Sequence, residues 1–155
     1  MKTRTEIYDI SHEDLVNLFS TALYGSSYLG CNYRVDLKDD DKDEDLGFKD
    51  DDCFEDKIAK CLLHGKRVAM VDHYCEGSDE FYGELEHHYD EESGYMLYYL
   101  DLRTIKKGLE KMLNAGGWKA KYVMMMINDD DYCEFDQIAA DSIMQNIIFG
   151  EEIYG

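Results

Sequence analysis

Proline is absent from this 155-residue chain, tryptophan occurs once, and bases are scarce, with 16 Lys and Arg against 35 Asp and Glu. Without Pro, and with its 12 Gly dispersed, the chain has no Pro-, Gly- or Ser-rich linker. A single domain over residues 1–155 is therefore expected. No apolar run approaches the roughly 20 residues that a membrane span needs. The longest, residues 122–127, is only strand-sized. The first six residues lead into no apolar stretch, so no secretory signal is expected. The five cysteines (Cys31, Cys53, Cys61, Cys75, Cys133) are odd in number and irregularly spaced, which reads as reduced thiols in a cytoplasm. Also missing are a nucleophile elbow, a P-loop, a dinucleotide fingerprint and a deaminase signature.

What is present is apolar enough to fold. Hydrophobic residues make up 45% of the chain, with 13 Tyr and 6 Phe, which a disordered acidic tail would lack. A domain of 18.1 kDa buries a real core. The formal net charge of −19 repels DNA, RNA and anionic lipid, because binding them requires Lys and Arg to neutralise phosphates. Cations and basic protein surfaces remain as attractive partners.

Local signals place the elements. Residues 3–10 alternate weakly as a short strand. Ser11 reads as a helix N-cap with Asp14 completing a capping box. Leu15, Leu18, Phe19, Ala22 and Leu23 then mark one helical face, closed by Gly25. Residues 28–37 read as a strand. An acidic excursion over about residues 38–53 follows; residues 39–56 hold eleven acids and two lysines. A helix with Phe54, Ile58, Cys61 and Leu62 on one face ends near Gly65. Residues 67–74 and 95–100 read as strands, while residues 81–89 fit either strand or loop. Asp101 caps a helix with Ile105, Leu109, Met112 and Leu113 as its stripe, broken at residues 115–117. Residues 119–127 read as another strand, and a last helix runs from about Phe135 to Gly150. The sum is an α+β domain: a four- to six-stranded antiparallel or mixed sheet with about four helices mainly on one face. Phe19, Leu23, Leu109, Leu113, Ile143 and Ile147 are expected in its core.

Several constellations bear on chemistry. Asp41, Asp43 and Asp45 fall at the first, third and fifth positions of an EF-hand loop. However, Leu46 stands where the sixth-position Gly belongs, and Asp52 stands where a bidentate Glu belongs. Residues 39–52 are therefore read as an exposed, solvated excursion with only Leu46 and Phe48 to anchor it. Cys61, His64, His73 and Cys75 offer soft ligands, but not at a usual zinc spacing. His87 and His88 sit beside Glu84, Glu86 and Asp90, a setting that favours their protonation. No metal, cofactor or catalytic residue is assigned. The acids themselves are clustered. Beyond the first excursion, residues 76–92 hold eight acids without a base, and residues 129–141 hold six. Acids interleaved with Tyr82, Tyr89 and Tyr132 can imitate phosphates beside bases. The candidate partner-binding residues are Asp39, Asp40, Asp41, Asp43, Asp79, Glu80, Glu84, Glu86, Asp129, Asp130 and Asp131.

Both ends of the chain carry a resemblance. Residues 13–16, Thr21-Ala22-Leu23-Tyr24-Gly25 and Ser27-Tyr28 resemble a family helix that ends in a similar turn. Ala140-Asp141-Ser142-Ile143-Met144-Gln145, with residues 148–151 and Tyr154-Gly155, resembles that family's last helix, and residues 109–113 its middle one. The family comprises small acidic proteins of phages and mobile elements of Firmicutes. The likeness covers about a third of the chain, and it departs where Leu29-Gly30 replace an aromatic and a Trp. It implies a non-enzymatic inhibitor of host defence in the bacterial cytoplasm, similar to anti-CRISPR and DNA-mimic proteins. Such a protein would occupy the basic, nucleic-acid-binding surface of a host protein, with a CRISPR effector as the leading candidate. The alternative is a small cytoplasmic phage enzyme or ligand-binding domain that uses the His and Cys residues.

Overall fold

A computed structural model describes residues 10–24, 33–36, 46–72, 85–127 and 136–152. Among these the order is α1 (His12–Tyr24), β1 (Tyr33–Asp36), α2 (Phe54–Leu63), β2 (Val68–Asp72), β3 (His87–Asp90), β4 (Tyr95–Leu100), α3 (Leu102–Ala115), α4 (Gly117–Ile127) and α5 (Gln137–Phe149). The α+β class is as expected. The expected strand over residues 3–9, the turn at 76–79 and Gly25 lie outside the described residues.

Most elements start and stop where their capping chemistry dictates. The Ser11 hydroxyl accepts the Asp14 N–H at 3.1 Å, and the Asp14 carboxylate accepts the Ser11 N–H at 3.2 Å. That is the reciprocal pair that satisfies two orphan donors at a helix start. Asp101 accepts the Thr104 N–H at 2.8 Å, and Thr104 Oγ1 accepts the Asp101 N–H at 3.0 Å. Asp136 accepts the Ala139 N–H at 2.9 Å. At the other end of α5, Gly150 takes a left-handed φ of 78° and donates to the Asn146 carbonyl, a conformation that favours Gly.

Residues 117–127 form helix α4, not the strand expected over 119–127, and the described residues hold five helices where about four are expected. Val123, Met126 and Ile127 are buried at i, i+3, i+4 spacing. The Trp118 and Tyr122 rings meet edge-on at 5.4 Å, one turn apart. A six-residue apolar run satisfies the strand and the helix period alike. Three Met, two Lys and an Ala among residues 119–126 add good helix formers, and packing against α3 and α5 supplies the partners.

The sheet order is β1-β2-β4-β3, antiparallel throughout. Register aligns Val68 with Leu100, Met70 with Tyr98 and Asp72 with Met96. One face therefore carries Val68, Met70, Met96, Tyr98 and Leu100 into the helical core. Tyr98 is fully buried, and its ring meets Phe149 of α5 edge-on at 5.3 Å. Helix α5 packs against α1, α3 and α4 and is buried from Ser142 through Phe149, which suits its nearly unbroken apolar sequence. Of the six residues expected in the core, Phe19, Leu109, Ile143 and Ile147 are buried. Leu23 and Leu113 are partly buried against the same core.

Candidate functional site

Of the eleven acids singled out from the sequence, Glu86 lies among the described residues. Asp39, Asp40, Asp41, Asp43, Asp79, Glu80, Glu84, Asp129, Asp130 and Asp131 lie outside them. Glu86 is exposed on the approach to edge strand β3, and its carbonyl accepts the Tyr99 N–H at 3.0 Å. Its carboxylate pairs with Arg67, whose guanidinium lies 4.7 Å from the Tyr99 ring centroid. Glu86 thus reaches any partner as half of an ion pair. Beyond it, the turn joining β3 to β4 exposes Glu91 and Glu92. There the Ser93 side chain, then the Glu92 and Ser93 backbone N–H groups, hold Asp90 below the usual carboxylate range.

The first acidic excursion is described at its C-terminal end, where it is anchored to the core. Leu46 is 1% exposed and sits in the core. Gly47 reverses the chain at φ 72°, and Phe48 packs on the core edge with the Lys57 ammonium 5.8 Å from its ring centroid. Lys60 Nζ then ties the stretch to α2, donating to the Gly47 carbonyl at 2.9 Å and to Asp52 Oδ2 at 2.5 Å. Asp52 also accepts the Lys49 N–H at 2.8 Å. Lys60 first, and then that N–H, hold the Asp52 carboxyl below its ordinary value. Residues 46–52 are thus tied down at Leu46, Phe48 and Asp52, while Gly47, Lys49, Asp50 and Asp51 are exposed. An EF-hand reading fails here. Its sixth position is a core leucine and its twelfth is committed to a lysine.

The other constellations separate. Cys61 is buried in the core while His64 is exposed at the end of α2, with Nδ1 2.8 Å from the Lys60 carbonyl oxygen. His73 and Cys75 lie outside the described residues. His87 is paired across the sheet with Tyr98 and His88 with Leu97. Successive strand residues point to opposite faces, so the two rings cannot share one site. Among the described residues no three His, Cys, Asp or Glu side chains gather as metal ligands. Of the third acidic patch, Asp136 is spent as a helix cap and Asp141 accepts from Gln145 Nε2 at 2.8 Å.

One feature of the charge distribution escapes an average over the chain. Residues 102–127 hold six bases, Arg103, Lys106, Lys107, Lys111, Lys119 and Lys121, against the single acid Glu110. Helices α3 and α4 are thus locally cationic on an otherwise acidic molecule. The signal was present as the spacing of Arg103, Lys106 and Lys107 within one helical turn. No match is found when the chain is compared with protein families, with curated proteins and with solved structures.

Proposed function

We propose that this protein is an inhibitor of host defence that binds a basic, nucleic-acid-binding bacterial protein through its acidic surface. A CRISPR effector is the leading target, as the resemblance of its terminal segments implies. The observation that carries the reading is the edge hairpin. Glu91 and Glu92 are exposed in the turn after β3, with Glu86 beside β3 already paired to Arg67, in a segment, residues 76–92, that itself contains no Lys or Arg. β3 is an outer strand of the described sheet, so a partner approaches it without displacing a neighbouring strand. Acids held at such an edge meet Arg and Lys that otherwise await phosphates. The enzyme alternative draws no support from Cys61, which is sealed in the core.

The test is a pull-down from host lysate with and without nuclease, followed by binding of the captured protein over a salt series. Affinity should fall steeply as salt rises, because exposed charges are screened over about 8–10 Å near physiological ionic strength. Nucleic acid that fills the same groove should compete. Converting Asp79, Glu80, Glu84, Glu91 and Glu92 to Asn and Gln should weaken association by at least about tenfold, a loss of about 1.4 kcal/mol, while leaving the melting transition in place. Full-strength inhibition by charge-neutral variants would eliminate the mimic mechanism.

A further inference from the structure

The N-terminal half of α3 faces the turn that joins α2 to β2 across an open groove of about 570 Å³, lined by Gly65, Asp101, Leu102, Arg103, Lys106, Lys107 and Glu110. That volume lies within the range of roughly 300–1,000 Å³ typical of small-molecule sites. Lys106 and Lys107 stand three and four residues after Arg103, so each neighbours Arg103 on the helix surface with Cβ atoms about 5–6 Å from it. Lys107 and Glu110 already make interactions of their own, and the Asp101 carboxylate is committed to the Thr104 N–H as a cap. Arg103 and Lys106 have no carboxylate partner among the described residues. Gly65 is at φ +77°, and a Cβ there would point into open space. This wall therefore carries no side chain to fill the groove, while Leu102 and the lysine stems make its floor apolar.

We infer that this groove binds a small phosphorylated molecule of mononucleotide size. Arg103 takes phosphate oxygens with its planar fork and Lys106 adds a point charge. A bare phosphate would leave most of the groove empty, and the apolar floor suits an attached ring. A polynucleotide is the poorer occupant, since the net charge of −19 repels a long polyanion far more than a compact one. This site is separate from the acidic edge and does not rest on the inhibitor reading.

The probes are ADP, pyrophosphate, adenosine and a short single-stranded oligonucleotide, each titrated calorimetrically into the full chain. ADP should bind saturably with a Kd on the order of 10⁻⁴ M, more tightly than pyrophosphate, and adenosine should not bind. Arg103→Gln with Lys106→Gln should weaken ADP by at least about tenfold, or 1.4 kcal/mol. Lys119→Gln with Lys121→Gln, on α4, should leave it unchanged within about twofold. If the first pair lowers the melting temperature, Arg103→Gln alone serves, because Arg103 is exposed. The proposal is overturned by no saturable ADP binding, by pyrophosphate binding as tightly as ADP, by tighter binding of the oligonucleotide, or by equal loss in both variant pairs.

Discussion

Lys60 shows how one side chain turns an acidic, apparently unstructured stretch into part of the fold. It reaches both the Gly47 carbonyl and the Asp52 carboxylate, so both ends of the segment between them are tied to the last turn of α2. The pair has a consequence for acid stability. A carboxyl held below its unfolded value, 3.8 for Asp52, contributes stability that is fully present above that value. The contribution is lost as pH falls through the lower folded value. Asp56 behaves alike, lowered first by the His12 side chain at 2.8 Å and then by the Cys53 thiol. Asp52→Asn should therefore melt at a lower temperature than the wild type at neutral pH. The gap should narrow as pH falls below 3.8 and close below the lower folded value, where the wild-type carboxyl is also neutral. Thermal melts between pH 2.5 and 7 read this directly, and a gap that stays constant to the acid limit would show that Asp52 contributes through shape and not charge.

Between elements, α3 and α5 approach closely at Gly108. Gly108 lies mid-helix in α3, where Gly costs about 1 kcal/mol relative to Ala. Its place is explained by Ile147: a Cβ at residue 108 would sit 2.8 Å from Ile147 Cγ1 and 3.0 Å from its Cα. One of those contacts is backbone, which cannot rotate away. Gly108→Ala should gain the propensity term and lose more through overpacking, about 1–3 kcal/mol. The net effect should be a lower urea midpoint with unchanged slope. A higher midpoint would mean that the two helices stand further apart than described. The same contact helps seat α5, whose C-terminal Phe149 carries the helical core onto Tyr98 of the sheet.

At the level of the whole molecule, charge is unevenly shared. The acids cluster in a few segments of the sequence, the bases of residues 102–127 on two adjacent helices. A net charge of −19 opposes compaction through self-repulsion. The ion pairs Lys60–Asp52, Arg67–Glu86 and His12–Asp56 offset only a small part of it. Raising ionic strength from about 10 mM to about 150 mM shortens the screening length from about 30 Å to about 8 Å. The melting temperature should rise by several degrees. A fall would mean that the attractive pairs outweigh the repulsion.

The division between sequence and tertiary structure follows the range of the interactions concerned. Capping is local, so Ser11, Asp14 and Asp101 announce the helices they start, and Gly65, Gly116 and Gly150 those they end. The stripes of α1, α2, α3 and α5 are periodic over enough turns to be read directly. The acidic balance of the chain, −19 overall, is likewise read directly from composition. Residues 119–127 are too short and too uniformly apolar for periodicity to choose between helix and strand, and the choice falls to the neighbours they pack against. Leu46 stands out in the sequence only as one of two apolar residues in an acidic stretch, and its full burial is decided by the tertiary fold. The Arg67–Glu86 pair and the Gly108–Ile147 contact likewise join residues 19 and 39 positions apart. The groove beside Arg103 and Lys106 exists only once α3 is folded against the turn at Gly65. Local chemistry therefore determined most of the elements and the sign of the net charge, while the pairing of distant segments decided the helix at residues 117–127 and which of the described acids are spent on the fold.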